Sequence, residues 1–358
     1  MKIVISGLGV MGASLAQAIK NSDIDADIWG YDKDDILKQA SNLNFIDKEI
    51  VHWPDDCKDA DVIFLATPIN VIKQQIKELN GVIEQQTIVT DIGSTKNELK
   101  NYCTELNFSG TYIGGHPMTG AEKSGITASN PLLYENAIYI LTIKDTDIDQ
   151  HIEQNLLKIL QAIKARVFFL DAVIHDEVMA MISHLPQIIA VALINLVGAQ
   201  NENLQYCFNL AAGGFRDLTR IASSSFAIWQ DIINSNKQNI QAALEKFITQ
   251  LQKEKNMLDD IKGSFDQANT YRTKIPKKSK GFLSPLTDVL VYVDDQKGVI
   301  AKISNALFNK DIDIRDIELL KIREHEGGVF MIAFENEHKA REAVAVLKSI
   351  NYNAFIKE

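Results

Sequence analysis

The sequence predicts an α/β chain in three parts: a doubly wound parallel-sheet domain over residues 1–171, an all-helical domain with a linker over 172–283, and a ferredoxin-like βαββαβ domain over 284–358. Three observations carry that reading. Short apolar runs alternate with helical patterns through the first half, β-branched alternation nearly vanishes after Ala172, and the last stretch returns to strands and helices in the order βαββαβ.

Taken in order, the candidate strands of the first part lie at residues 2–6, 27–31, 62–66, 87–91, 137–143 and 166–170. They are continuous apolar runs bounded by turn residues, which suits strands buried on both faces of a parallel sheet. Two long helices are expected next, over 175–199 and 228–261. The first is apolar nearly all round, so it belongs in a core or between subunits. Residues 266–286 read as a solvated linker, with Arg272, Lys274, Lys277, Lys278 and Lys280 interspersed with Pro276, Gly281 and Pro285. In the last part, residues 288–293 alternate as a strand, 299–308 form an amphipathic helix, and 314–322 with 328–334 form a hairpin. Residues 338–350 supply the second helix and 353–356 the closing strand.

A formal net charge of −10 argues against a nucleic-acid partner, which needs a basic surface. Small anionic substrates remain open, because a few local cations hold those. Cys57, Cys103 and Cys207 are far apart and match no metal spacing, so they read as reduced thiols of a cytoplasmic protein. His175 and His184, nine residues apart, fit no zinc pattern either, and no metal is expected. The chain enters its first strand at once, with no signal-peptide layout, and its longest apolar run, 188–199, is too short for a bilayer. A soluble cytoplasmic protein with no membrane partner is expected.

Gly7-Leu8-Gly9-Val10-Met11-Gly12 follows the first strand and opens a helix, the context that a Rossmann-type dinucleotide site requires. Gly7 makes the tight turn, Gly9 admits a pyrophosphate to the backbone, and Gly12 lets helix and strand pack. The diphosphate would sit on the helix N-terminus. Asp32 ends the second strand, twenty residues beyond Gly12, where a carboxylate accepts from both ribose hydroxyls and repels a 2′-phosphate. NAD is therefore expected rather than NADP, with Lys33 beside Asp32 weighing the other way. Ala66-Thr67-Pro68 and Asp91-Ile92-Gly93-Ser94-Thr95-Lys96 close two further strands at the edge where ligands bind. Ordinary turn chemistry accounts for both equally well. Tyr112 to Gly120 then packs three glycines and a proline around His116, close to the expected nicotinamide edge.

Several segments resemble the prephenate dehydrogenase family. GGHPMTGAEKSG at 114–125 resembles its catalytic loop. His175-Asp176 with Ser183-His184-Leu185-Pro186 resembles its first helical-domain motif. The run Gly213 to Ala222, followed by Trp229, resembles its second. With the glycine loop and DIGSTK at 91–96, the likeness runs in order through residues 1–260. It implies a cyclohexadienyl substrate with a ring hydroxyl, a ring carboxylate and a side-chain carboxylate. Hydride leaves the carbinol carbon for NAD while the ring carboxylate departs as carbon dioxide.

On that resemblance His116 accepts the hydroxyl's hydrogen bond, because an imidazole titrates near working pH. Ser94 aligns the imidazole or the hydroxyl. Arg220 grips a carboxylate with its two-pronged guanidinium, and His184 donates to a carboxylate. Glu122 resembles a gating acid, with a solvated side chain as the alternative. Trp229 either walls the pocket or packs in the core. Pro186 would kink its helix and open space beside His184. Gln187, being neutral, would tolerate a keto or an amino side chain, so arogenate stays open as the alternative substrate. A non-catalytic NAD and amino-acid sensor is a further alternative, but it has no need of Ser94, His116, His184 and Arg220 together.

Residues 287–358 resemble an ACT domain, an amino-acid-sensing module. The resemblance implies tyrosine as an effector, held near Gly298 in the loop 294–300, and a homodimer. Asp313 stands where such domains often carry Asn; it would bind an amino group but repel a carboxylate. A dimerising module without ligand is the alternative.

Overall fold

Six short strands make a parallel sheet: β1 Lys2–Ser6, β2 Asp27–Tyr31, β3 Lys48–Glu49, β4 Val62–Leu65, β5 Ile88–Asp91 and β6 Thr111–Ile113. Their order is β3-β2-β1-β4-β5-β6, with every neighbouring pair parallel. The period of two along the strands explains the two cores. Ile3, Ile5, Val62 and Phe64 face the helices Val10–Lys20 and Asp34–Asn42. Val4, Ile63 and Leu65 face Ile69–Leu79 and Asn97–Glu105 on the other side. The strand order reverses between β1 and β4, so a crevice opens at their carboxyl ends. In this computed structural model, residues 1–120, 123–199, 204–275, 286–294, 296–323 and 327–357 are described. The chain forms two compact units, Met1–Leu258 and Asp259–Glu358.

The strands expected at 137–143 and 166–170 do not extend that sheet. They pair instead in a second sheet, β7 Gly115–Pro117, β8 Ile138–Leu141 and β9 Arg166–Phe169, with β7 antiparallel to β8 and β8 parallel to β9. The chain leaves β6 through Gly114 and Gly115, where it presses on β5. A Cβ on Gly115 would stand 2.4 Å from the carbonyl oxygen of Asp91. Only glycine allows that approach, and the new direction it gives starts the second sheet. β9 is a surface strand, with alternate residues exposed. β3 and β6 escaped prediction because two or three residues carry no readable period.

The helix expected over 175–199 starts at Ala172, where the Asp171 carboxylate accepts from Val173 N at 2.8 Å. It runs to Met179, widens into a π turn at Ala180–His184, and continues as Leu185–Gly198. Pro186 has no N–H to give Ile182, and the wide turn accommodates that loss: Leu185 N reaches the carbonyl of Ala180, five residues back. The helix expected over 228–261 is broken into Phe226–Ser235, Lys237–Asn256 and a short 3-10 turn Leu258–Asp260. The break falls at Asn236, which is buried. The expected linker is helical at its start, within Lys262–Lys274, because no glycine or proline interrupts residues 264–275. Residues 276–285 lie outside those described.

Among the described residues, the buried core cluster of this helical half gathers Ala180, Leu185, Ile240 and Ala243. Ile174, Met181, Ile182, Leu196, Phe226 and Ile228 are exposed in the single chain. The all-round apolar character therefore does not mean all-round burial here; one face is open. By length and composition the stretch Ala172–Gly198 would also reach across a membrane, which the shorter run 188–199 did not suggest. It nevertheless buries His175, Asp176, His184 and Gln187, all hydrogen-bonded within the first unit.

The second unit carries β10 Thr287–Val293, β11 Asp316–Arg323, β12 Gly327–Phe334 and β13 Asn353–Ile356, with helices Val299–Phe308 and Glu337–Ser349 between them in βαββαβ order. The sheet order is β11-β12-β10-β13, antiparallel throughout. Its core packs Val289, Val291, Ile332 and Phe334 against Ile303, Leu307, Ala343 and Leu347. A cavity of about 330 Å³ opens between the end of β10, the first turn of the helix and the β11–β12 hairpin. Val293, Gly298, Ile300, Leu319 and Phe330 are among its lining residues.

Candidate active site

The glycine loop is built by steric need at two of its three glycines. Gly7 has φ +92°, and a Cβ there would stand 2.6 Å from Ala66 O. A Cβ on Gly12 would come 1.8 Å from Gly7 O. Gly9 differs: an added Cβ meets nothing within 4 Å. That side of the loop is open over the first turn of Val10–Lys20, whose N-terminal N–H groups receive no side-chain cap. Val10 and Met11 form this turn, which Tyr134 steadies by donating to Met11 O at 3.1 Å. The open face and free donors fit a diphosphate.

Asp32 braces the loop, its two oxygens accepting from Leu8 N at 2.6 Å and Lys33 N at 2.7 Å. Each oxygen keeps a lone pair for a ribose hydroxyl. Thr67 lies against Gly7 and spends its hydroxyl proton on Gln75 Oε1 at 3.0 Å. Gln75 in turn donates to Ser6 Oγ at 2.6 Å. Pro68 is exposed at the start of Ile69–Leu79.

Across the crevice, two buried carboxylates flank His116. Asp91, at the end of β5, accepts from Gly93 N at 2.8 Å, Tyr112 Oη at 2.9 Å and Gly115 N at 3.3 Å, and pairs with Lys96 Nζ. Lys96 also donates to Gly115 O at 2.7 Å, one residue before His116. Burial pushes the Lys96 ammonium below its ordinary value, and Asp91 opposes that push. Breaking such a pair costs about 3–5 kcal/mol, because the surviving charge stays buried. Burial first, then Asp91, also holds the Tyr112 phenol well above its usual range, so it stays a donor.

The second carboxylate is Asp176. It accepts from Lys96 N at 2.8 Å and Asn97 N at 2.9 Å, at the start of Asn97–Glu105, and from His175 Nδ1 at 2.7 Å. His175 Nε2 lies 2.8 Å from His116 Nδ1. Lys96 thus ties both carboxylates together, one through its side chain and one through its backbone. Burial drives His116 well below the ordinary imidazole value, helped by His175, Lys96 and His184.

His184 leaves the π turn and is 1 % exposed. Asn236 Nδ2 lies 3.2 Å from its Nδ1 and donates to Asp176 O at 2.7 Å. Trp229 is half-buried and stands edge-on to the His184 ring, 5.9 Å between centroids. Burial lowers His184 to about 4, with Asp176 opposing and His175 assisting. It is neutral at neutral pH, and with Nδ1 accepting from Asn236 it offers Nε2–H as a donor. The ring expected to bind an anion would therefore meet it as a dipole rather than a cation.

The other expected site residues are less enclosed. Ser94 is half-buried in the loop after β5, beside Thr95, whose Oγ1 is 2.8 Å from Ser235 Oγ. Arg220 begins a 3-10 turn, Arg220–Ser223, and its side chain is exposed, not buried as a carboxylate clamp would be in a finished pocket. Gln187 does not face a ligand freely, since its amide donates to Ile221 O at 2.9 Å and fastens that same turn. Glu122 lies outside the described residues. In the second unit Gly298, with φ +83°, lines the cavity, whereas Asp313 does not line it and pairs with Arg315 at 3.0 Å. Sequence reasoning gave His175, Asp176, Asn236 and Lys96 no role of their own. The adjacent His175-Asp176 pair was the one available signal.

Family models match the chain in three segments. They are "Prephenate dehydrogenase, nucleotide-binding domain" over residues 15–169, "Prephenate dehydrogenase, dimerization domain" over 171–268 and "ACT domain" over 287–351. The chain is 34% identical to the prephenate dehydrogenase of Bacillus subtilis (strain 168), covering 95% of this chain and 94% of that one. It is 32% identical to that of Lactococcus lactis subsp. cremoris (strain MG1363), covering 97% of each. Among solved structures it is similar to prephenate dehydrogenase from A. aeolicus in complex with hydroxyphenyl propionate and NAD+, with a TM-score of 0.69 and 28% identity over 77% of this chain and 98% of that one. It is also similar to Synechocystis arogenate dehydrogenase, with a TM-score of 0.68 and 27% identity over 77% of this chain and 100% of that one.

Proposed function

The chain belongs to the prephenate dehydrogenase family, and on that premise we propose that its site converts prephenate to 4-hydroxyphenylpyruvate by oxidative decarboxylation with NAD, a step of tyrosine biosynthesis. One observation carries the assignment of roles: a buried imidazole, His116, anchored through His175 to a carboxylate at the carboxyl edge of the sheet, across from an open glycine loop. NAD, when bound, supplies the hydride acceptor. Gly7, Gly9, Val10, Met11 and Gly12 would hold its diphosphate, Asp32 its adenosine ribose, and Thr67 with Pro68 would border it.

In this reading His116 takes the hydrogen bond, then the proton, of the ring hydroxyl as the carbonyl forms. Ser94 holds that hydroxyl in line. Neutral His184 donates to one substrate carboxylate, Arg220 pairs with the other and Trp229 walls the pocket; Glu122, outside the described residues, is assigned the part of gating acid on the family resemblance alone. Residues 1–171 serve the cofactor, 172–283 the substrate and subunit contact, and 284–358 regulation. The open apolar face of the helical half supports a homodimer. The cavity beside Gly298 supports tyrosine as effector, with Asp313 outside it. Free thiols at Cys57, Cys103 and Cys207 support a cytoplasmic location.

Arogenate is the second reading, favoured by the equally close structural likeness to an arogenate dehydrogenase. Mixing the protein with NAD and each substrate in turn, and following the absorbance of reduced nicotinamide, decides between them. Prephenate turnover with little arogenate turnover is expected; the reverse would transfer the assignment, and no turnover of either would remove it. For the effector, Ile300→Trp would fill the cavity from its exposed rim. It should abolish tyrosine inhibition while uninhibited turnover persists, and equal inhibition with and without the change would place tyrosine elsewhere.

A further inference from the structure

His116, His175 and Asp176 stand in a line, and their hydrogen bonds admit one proton pattern when both rings are neutral. Asp176 is an acceptor only, already taking two backbone N–H groups. His175 Nδ1 must therefore donate to it. A neutral His175 then carries a bare Nε2, which His116 satisfies with its own Nδ1–H. His116 is left with its lone pair on Nε2.

We infer that the line has two tasks: it holds His116 in the tautomer whose Nε2 accepts from the substrate, and it carries the positive charge inward as the hydroxyl proton is taken. This rests on the reading of His116 as the hydroxyl's acceptor. The step balances. The hydroxyl O–H breaks and its proton bonds to His116 Nε2; the Nδ1–H of His116 breaks and its proton bonds to His175 Nε2. The oxygen's electron pair forms the carbonyl as hydride leaves carbon. His175 is then an imidazolium beside the Asp176 carboxylate and His116 is neutral. As the ring carboxylate leaves as carbon dioxide, the pair of the broken C–C bond passes through the ring to the carbonyl oxygen, and the stored proton returns through His116 to make the phenol.

Charges on the surrounding elements decide where the proton rests. A cationic His116 would be buried, with the Lys96 ammonium opposing it, while the Asp91 charge is already paired with Lys96. A cationic His175 faces a carboxylate at 2.7 Å, in an interior where such a pair is far stronger than in water. Moving the charge one ring inward exchanges a repulsive neighbourhood for an attractive one. His175 touches no substrate in this scheme; it is a positioning residue that also stores a proton.

The test begins with wild-type turnover of prephenate, and failure there would indict the assigned reaction rather than the line. Gln at position 175 still accepts from His116 Nδ1–H through its carbonyl oxygen but cannot store a proton. His175→Gln should lower kcat about 10–100-fold while KM for prephenate changes less than about 2-fold. In a His116→Asn background the same change should have no further effect, since there is no proton to pass. Near wild-type turnover in His175→Gln, or losses that multiply in the double variant, would overturn the relay. Should His175→Gln fail to fold, nitrogen NMR of the histidine-labelled wild-type chain decides. A bare Nε2 and protonated Nδ1 on His116 support the line, and the opposite tautomer sinks it.

Discussion

The sheet half and the helical half of the first unit are finished to different degrees. The sheet half closes two cores around its strands and packs His116 among buried partners that leave it little freedom. The helical half gathers a small buried cluster around Ala180, Leu185, Ile240 and Ala243 and leaves Ile174, Ile182, Phe226 and Ile228 exposed in the single chain. Its contributions to the site divide along the same line. His175 and Asp176, which hydrogen-bond to the sheet half, are buried, as is His184 beside Asn236 and Trp229, while Arg220 is exposed. The groups proposed for proton chemistry are thus already held by hydrogen bonds within one chain, whereas the residue proposed to grip a substrate carboxylate lies open in the single chain.

That division sets the scale of what substitutions should do. His116→Asn strikes the finished side, and turnover should fall about 10²–10⁴-fold with substrate binding largely kept. Nearly full turnover would mean that the proton leaves by another route. The acid limb of the rate should lie below the ordinary imidazole range in the wild type, as burial of His116 requires, and should vanish in the variant. Arg220→Ala strikes the open side. It should raise KM for prephenate about 10–100-fold, the worth of a hydrogen-bonded charge, and leave kcat and NAD affinity near wild type. An equal loss of NAD affinity would assign Arg220 to the fold instead.

A smaller effect is expected at Asp32, because it braces Leu8 besides its proposed place at the cofactor's ribose. Asp32→Ala should weaken binding of both cofactors but shift preference toward NADP by about 10-fold; an unchanged ratio would leave it only the bracing role. The smallest concerns stability. His184 is held near 4 in the folded chain against 6.5 when unfolded. Between those values the unfolded state binds the extra proton, so stability present above pH 6.5 is lost as pH falls toward 4. The melting midpoint should drop by a few degrees over that window, and His184→Gln should flatten the slope. An unchanged slope in the variant would move the effect to another group.

How much of this could be read beforehand depended on whether a residue's task was local. Gly7 and Gly12 were legible because their constraint lies within one turn, and Asp32 because its distance from the loop is fixed by a strand and a helix. The histidine loop was legible as an active segment, but not the task of Gly115, whose constraint comes from the backbone of Asp91 on another strand. Missing that contact put β8 and β9 in the wrong sheet. His175 went unassigned because its partner is 59 residues away in the chain. Asn236 read as one more helical residue, although it ends one helix and holds two others in place.

The π turn at Ala180–His184 has a consequence in simple arithmetic. Residues nine apart on a regular α-helix differ by about 900°, or half a turn, so His175 and His184 would look in opposite directions. The wide turn takes up one residue without advancing the spiral, and the pair behaves as though eight apart, near about 80°. His175 can then face His116 while His184 faces Asn236. The helix thus contains one residue more than its length needs, and the placing of His184 against Asn236 depends on that surplus. Ile182 sits within the turn, 61 % exposed. Replacing it should do little, but omitting it would let the turn tighten and swing everything from His184 to Gly198 round by about 100°. His184 would leave Asn236, Gln187 would leave Ile221, and a single deletion on the surface would silence the site without touching any group that acts in it.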